Sequence, residues 1–300
     1  MNHTLKTILK RIIPQGILTL HHRQKERHHW LKEMPPLLQK RRSLLRFNIH
    51  LAEHCNLKCK GCEHFSPLAP ETYLDIAVYE RDCKRLSELT GGTVDMLELL
   101  GGEPLLHPEI THFLDMSRKY FPRGIIRILT NGILLLKMPE EFWQNCKKNE
   151  IEIHISIYTH IDRNAISQLA NKYGVLVTWD FVDGVEWVRR PLDLDGKQKH
   201  EQSAKLCYQL NQCIQLVDGK LYTCARIAYI KYFNSTFNQH LQVTDADYID
   251  IYKAKTIDEI FDFLSKPMPF CRYCNIKKTL FGLKWEISKK EMSEWVSLER

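Results

Sequence analysis

Short runs rich in Ile, Leu and Val alternate with longer segments of helical periodicity from residue 46 onward, and few folds accommodate that alternation. Apolar runs of this length suit strands buried on both faces, and the intervening segments are long enough to be right-handed crossover helices between parallel neighbours. The pattern predicts strands over Phe47 to Leu51, Val94 to Leu100, Ile125 to Leu129, Ile151 to Ile157 and Val175 to Phe181. Helices such as Asp75 to Leu89, Pro108 to Tyr120 and Arg163 to Tyr173 fall between them. The expected class is α/β, built on a parallel sheet. No internal repeat or low-complexity run interrupts it.

The residues that follow each strand are polar and chemically specific. The first strand runs into Glu53-His54-Cys55-Asn56-Leu57-Lys58-Cys59-Lys60-Gly61-Cys62, the second into Gly101-Gly102-Glu103-Pro104, and the third into Thr130-Asn131-Gly132. The fourth carries Ser156 and Tyr158 at its end. In parallel β/α barrels the C-terminal rim of the strands is where chemistry is assembled, so these four segments are expected to meet at one site.

The formal charge of +7 would suggest a nucleic-acid partner only if it covered a binding face. Residues 1 to 46 hold eleven Lys and Arg against Glu26 and Glu33, a net +9, which leaves the other 254 residues at −2. No basic stripe interleaved with aromatics occurs beyond that arm, so nucleic acid is not expected as a partner. Within the arm, Leu5, Ile8, Leu9, Ile12 and Ile13 oppose Lys6, Lys10 and Arg11 until Pro14. This is a short basic amphipathic helix, suited to packing on its own domain or to peripheral contact with an anionic membrane surface. His21, His22, His28 and His29 sit among Arg23, Lys25 and Arg27 and read as a solvated face. No apolar stretch reaches the roughly 18 residues of a membrane span, and no secretory cleavage pattern is present, so a cytoplasmic location, with peripheral contact at the inner membrane face through the arm, is expected.

Ten cysteines are present; Cys83 and Cys146 stand alone in helical context, and the other eight fall in three tight groups. In a reducing compartment such grouping points to metal ligation rather than disulfides. Cys55, Cys59 and Cys62 form C-x3-C-x2-C on a loop, able to hold three irons of a cubane while the fourth stays open. A closed zinc site of these three thiols with His54 or His64 is the alternative.

The three-cysteine loop followed by Gly101 to Pro104 resembles the radical S-adenosylmethionine (radical SAM) superfamily over residues 47 to about 183. The resemblance implies a partial (β/α)6 TIM-like barrel, a 4Fe-4S cluster on Cys55, Cys59 and Cys62, and SAM chelated to the open iron. It also implies that Gly101 and Gly102 let backbone approach the methionine moiety, that Glu103 bonds the ammonium, and that Asn131 and Ser156 contact the carboxylate and ribose. Each of the last two could equally be a turn or cap residue. One position departs from the family: an aromatic residue usually precedes the last cysteine and flanks the adenine, and here it is Gly61.

Farther on, Cys213-x5-Gly219-x4-Cys224 reads as two strands joined by an Asp218-Gly219 hairpin turn. Cys271-Arg272-Tyr273-Cys274 follows a helix opened by a Thr256-x-x-Glu259 capping box, lined by Ile257, Ile260, Phe261 and Leu264, and stopped before Pro267. This spacing resembles the twitch domain, the shortened form of SPASM, and implies a second, auxiliary 4Fe-4S cluster on Cys213, Cys224, Cys271 and Cys274. Cys207 is a fifth candidate for four places, and a zinc ribbon is the alternative. Ser288-x-x-Glu291 is expected to cap a last helix in which Trp295 serves packing. The domains expected are an arm over 1–46, a radical SAM core over 47–203 and a small C-terminal twitch-type cluster domain over 204–300.

The resemblance implies an enzyme of oxidoreductase or epimerase type that cleaves SAM to a 5′-deoxyadenosyl radical and abstracts substrate hydrogen. An external electron donor such as flavodoxin or ferredoxin would supply the electron. The arm is too short for a precursor-peptide wing, which counts against a peptide substrate, and the resemblance to proteins that accompany surface-glycan biosynthesis implies a sugar or nucleotide-sugar. Asp180, Asp183, Arg189 and Arg190 are candidates for holding hydroxyls and phosphate. A peptide-modifying radical SAM enzyme and a zinc-binding interaction module remain the alternatives.

Overall fold

The computed structural model describes residues 46–180, 187–207 and 210–297. The amphipathic segment and histidines of the arm, together with Phe181 and Asp183, lie outside the described residues.

Five β/α steps open the fold: β1 Phe47–Ala52, α1 Ile76–Thr90, β2 Met96–Gly101, α2 Ile110–Tyr120, β3 Ile125–Thr130, α3 Glu140–Lys148, β4 Ile151–Ile155, α4 Arg163–Tyr173 and β5 Leu176–Trp179. Helix boundaries follow local chemistry. Asp75 caps α1 by accepting from Ala77 N at 2.8 Å and Val78 N at 3.1 Å, and Gly91 ends it in the left-handed conformation. Such a side-chain cap contributes about 1 kcal/mol. Cys83 and Cys146 are buried in the cores of α1 and α3 and take no part in the chemistry below.

The strands are parallel in the spatial order β5-β4-β3-β2-β1. One face carries Leu97, Leu99, Ile126, Ile128, Ile153 and Ile155, all fully buried under the helices. The other face is polar: Glu98 accepts from Arg46 Nε at 2.6 Å and from Arg127 at 3.4 Å, and Arg127 reaches Glu152 at 2.9 Å. Burying Glu98 is tolerable because two guanidiniums accompany it. A sheet with an apolar outside and a polar inside is how a half-closed barrel builds a hydrated interior.

The chain then forms β6 Trp187–Arg189, α5 His200–Leu206, β7 Ile214–Val217, β8 Lys220–Tyr222, α6 Ala225–Phe237, β9 Tyr248–Asp250, α7 Ile257–Leu264 and β10 Leu280–Leu283. The expected hairpin is present. Asp218 and Gly219 both have positive φ, 48° and 70°, the pair of conformations a type I′ turn needs. Its first strand, β7, joins the sheet as a sixth parallel strand, on the free edge of β1 rather than beyond β5. β8 and β9 follow antiparallel. The hairpin and α7 therefore share the barrel's apolar core through Ile214, Leu216, Leu221, Ile260, Phe261 and Leu264. A second apolar cluster holds Phe65, Tyr229, Phe233, Phe270 and Trp295.

Thr256 caps α7 by accepting from Glu259 N at 3.3 Å, and Glu259 reaches back to Lys255 N at 2.9 Å. The expected last helix does not form; a single 3-10 turn, Met292–Glu294, takes its place. Glu294 folds inward to accept from Ser288 Oγ and Lys289 N, each at 2.6 Å, and the next residues pair with Leu192, which donates to Trp295 O at 2.7 Å. Backbone committed to Leu192 cannot also continue a helical ladder. Trp295 is buried, as its packing role required. Among the described residues no helix is long and apolar enough to cross a membrane.

Candidate metal centres

The polar segments after β1, β2, β3 and β4 meet at the C-terminal edge of the sheet around a cavity of about 450 Å³. Cys55, Cys59 and Cys62 line one wall, and Gly101, Glu103 and Asn131 are among the residues facing them. Burial pushes all three thiols up, Cys59 to about 12. Thiols this reluctant to ionise release protons when a metal takes them as thiolates.

The glycine pair has a structural reason to be glycine. Gly102 N donates to Ala52 O at 2.8 Å and Glu103 N to His54 O at 3.0 Å, so the turn is bonded directly to the cysteine loop. A Cβ on Gly101 would overlap the carbonyl of Ala52, and one on Gly102 that of His54. Close backbone approach is thus required first by the loop itself. Glu103, 1% exposed, accepts from Thr130 Oγ1 at 2.6 Å, Asn131 N at 3.0 Å and Leu105 N at 3.2 Å. Burial outweighs these donors and raises its carboxyl to about 7. A cationic group placed against Glu103 would bring its carboxyl back down.

Asn131 ties β3 to the cysteine loop, donating from Nδ2 to Asn56 Oδ1 at 2.7 Å. Ser156 is buried beside it and bonds Thr130 O through its backbone at 2.9 Å. Asp180 and Arg190 line the same cavity, whereas Arg189 lies against Gly61. Gly61 adopts φ +68°, and a Cβ there would stand 2.9 Å from the carbonyl of Glu294.

Residues from the far end of the chain brace the loop. Lys60 N donates to Glu286 O at 2.9 Å, Ser288 N to Lys58 O at 2.6 Å, and Cys59 pairs with Ile287. Trp285 Nε1 donates to Cys59 Sγ at 3.2 Å and Trp295 Nε1 to Cys62 O at 2.8 Å. Sequence reading passed over Trp285, because nothing in Leu283-Lys284-Trp285 marks it as different from a packing residue.

The second group of thiols is assembled differently. Cys207 ends α5, Cys224 precedes α6, and Cys271 and Cys274 lie in or just after the 3-10 turn Pro269–Tyr273. These four surround a small cavity; burial first, and then the neighbouring thiols, push Cys224, Cys271 and Cys274 up. The expected member Cys213 stands apart from them: burial lifts it to about 11, and its charged neighbours are Arg46, Glu98, Glu63 and Arg190. It lies on the wall between this cavity and the larger one. Cys207 is among the charges that act on Cys224, Cys271 and Cys274, and Cys213 is not, although both line the small cavity. Cys213 immediately precedes β7, whose first residue, Ile214, pairs with Phe47 of β1.

Glu63 connects the two groups. It is ion-paired with Arg190 and accepts from Arg226 at 2.7 Å, while Arg226 Nη1 approaches Cys274 Sγ at 3.8 Å. Burial raises the Glu63 carboxyl, but the two guanidiniums prevail and hold it below its ordinary value. Among the described residues no three His, Cys, Asp or Glu side chains converge on a point as one ion would require. A closed zinc site needs four donors at about 2.0–2.3 Å from one centre, whereas a cubane spreads its thiolates over separate irons.

No family model matches the chain. Over 210 residues it is 26% identical to the GTP 3′,8-cyclase of Campylobacter fetus subsp. fetus, which covers 69% of this chain and 62% of that protein. Over 100 residues it is 30% identical to the S-adenosylmethionine-dependent nucleotide dehydratase of Selenomonas ruminantium, 32% of this chain and 34% of that one. The structure of BtrN in complex with AdoMet and 2-DOIA covers 77% of this chain and 92% of its own at 19% identity, with a TM-score of 0.49. The chain thus spans about three fifths of the cyclase and a third of the dehydratase. The C-x3-C-x2-C loop lining one cavity with Gly101, Gly102 and Glu103 at the strand ends, and the likeness in sequence to these relatives, support a member of the radical SAM superfamily.

Proposed function

We propose that this protein binds a 4Fe-4S cluster on Cys55, Cys59 and Cys62 and SAM beside it, and that it oxidises a nucleotide or nucleotide-sugar substrate in the same cavity. When bound there, the reduced cluster and SAM would supply a 5′-deoxyadenosyl radical able to take a hydrogen atom from substrate, and an auxiliary cluster would supply the acceptor for the electron of the substrate radical, whose proton would leave to solvent. The observation that carries the reading is the convergence of three thiols, the glycine turn, Glu103 and Asn131 on one cavity from three different strand ends.

Glu103 accepts the ammonium of SAM, which offsets the burial that raises its carboxyl. Asn131 and Ser156 hold the carboxylate and ribose ends, Asn131 while fixing the loop through Asn56. Asp180 and Arg190 face the cavity for the substrate's hydroxyls and phosphate. The nucleotide class is supported by the names of the relatives, a GTP cyclase and a nucleotide dehydratase. Cys207, Cys224, Cys271 and Cys274 hold the auxiliary cluster; four thiols fill four irons, which suits electron transfer, and Arg226 offsets its charge. The core and the cluster-bearing C-terminal part act together, since β7 pairs with β1 in one sheet.

Cys213 favours a second outcome of the same chemistry. Its thiol lies on the cavity wall outside the auxiliary four, where it could return a hydrogen atom to the opposite face of the substrate radical and give an epimer. The thiyl radical left behind would need one electron and one proton from the external donor to regenerate the thiol.

Anaerobically reconstituted protein with dithionite should convert SAM to methionine and 5′-deoxyadenosine, and a deuterium at the reactive carbon of the true nucleotide-sugar should appear in the 5′-deoxyadenosine. An oxidised product from wild type and from Cys213→Ala alike supports dehydrogenation; an epimer lost only in Cys213→Ala supports the second outcome. Absence of SAM cleavage would refute both.

A further inference from the structure

Two aromatic rings in the large cavity have no duty in the reading above, and one of them carries a polar atom in need of a partner. Tyr158, just beyond β4, and Trp187, at the start of β6, both line the cavity and both are half-buried. Their ring centroids are 5.4 Å apart at an interplanar angle of 74°, an edge-to-face pair. The Tyr158 hydroxyl is engaged with Ser156. Trp187 Nε1 is buried and meets no acceptor among the described residues. A buried indole N–H without an acceptor costs free energy until something provides one.

We propose that Tyr158 and Trp187 form the site for a purine base. In an edge-to-face pair one ring uses only its edge, so its own face stays available for stacking. A purine supplies what the two rings lack, a flat π-surface together with ring nitrogens that accept from Trp187 Nε1. A sugar has acceptors but no flat π-face, and an aliphatic chain has neither. The cysteine loop offers no ring of its own before Cys62, because Gly61 has positive φ and a side chain there would run into Glu294 O. Glu103 and Asn131 line the same cavity. The proposal rests on the reading that this cavity binds SAM. Two sources could supply the base, the adenine of SAM or the base of a nucleotide substrate.

The test uses the full chain with its clusters reconstituted, and measures equilibrium binding of three probes by calorimetry: SAM, methionine and GTP. Trp187→Phe keeps the ring and deletes the donor; Tyr158→Leu deletes the stacking partner. If adenine occupies the site, Trp187→Phe weakens SAM about tenfold, Tyr158→Leu weakens it at least as much, and methionine, which has no base, binds as to wild type. If a substrate base occupies it, GTP weakens by the same factor while SAM does not. Unchanged binding of both SAM and GTP in both variants overturns the proposal. Equal losses for SAM and methionine also overturn it, since they report a disturbed cluster rather than a base site. Wild-type protein that holds its iron yet binds neither SAM nor methionine would instead sink the underlying radical SAM reading. Retention of the visible absorbance of the clusters confirms that each variant is folded.

Discussion

The two groups of thiols are built on opposite plans. Three come from a single eight-residue loop, Cys55 to Cys62, braced from outside by Trp285, Glu286 and Trp295; four come from three separate elements, Cys207 at the end of α5, Cys224 at the start of α6, and Cys271 and Cys274 together at the 3-10 turn Pro269–Tyr273. The loop faces a cavity of about 450 Å³, the assembled group only a small one. A local loop can leave one iron without a protein ligand and still be held in place by its own backbone. Thiols drawn from distant segments enclose their ligand and make the fold depend on it. The first plan suits chemistry at an open position, the second electron transfer.

The largest expected difference between them lies in single-ligand variants. Cys59→Ala should abolish SAM cleavage, while Cys274→Ala should keep part of it and lose product formation, as read from 5′-deoxyadenosine and product in one anaerobic assay. Equal behaviour of the two variants would erase the distinction.

The membership of the assembled group can be counted. Wild type should hold about eight irons, Cys207→Ala about four, and Cys213→Ala about eight. The reverse result for the last two would return Cys213 to the cluster.

The loop's dependence on its glycine turn is a smaller effect. Gly102→Ala pushes a methyl into the His54 carbonyl and should destabilise the protein by about 1–3 kcal/mol, measured by denaturant unfolding. Iron bound by the loop should fall with it, and iron on the second group should stay.

Trp285 gives a finer contrast. Its hydrogen bond to Cys59 Sγ stabilises negative charge on that sulfur, so Trp285→Phe should lower the reduction potential of the loop cluster by tens of millivolts in an EPR titration and leave the other cluster's unchanged.

The smallest effect is one of pH. Glu103 ionises near 7 in the folded protein and near 4.5 when unfolded, so the folded state holds the extra proton between those values. Its contribution to stability is complete below about 4.5 and is lost as pH rises through about 7. Glu103→Gln should therefore flatten the fall in melting temperature between pH 5 and 8 by a few degrees.

The strands were legible because each is an apolar run wedged between helical segments, and the loop thiols because all three ligands lie within eight residues. The Asp218-Gly219 turn was equally readable, since only a few residue pairs accept two positive φ angles. Membership of the second group was not. Spacing alone left Cys207 and Cys213 as rivals, and where Cys213 stands depends on the pairing of β7 with β1, a contact 167 residues apart in sequence between Phe47 and Ile214. The brace from Trp285 to Ser288 was invisible for the same reason. The Ser288-x-x-Glu291 pattern misled because Glu294 turns inward and Leu192 claims the backbone that a helix would need.

EPR of anaerobically reduced protein, recorded before and after SAM is added, addresses the open corner of the loop cluster most directly. A shift in the signal of one cluster only, absent in Cys59→Ala and accompanied by 5′-deoxyadenosine, is the result expected. A signal indifferent to SAM, or colourless protein carrying stoichiometric zinc on Cys55, Cys59 and Cys62, would contradict it.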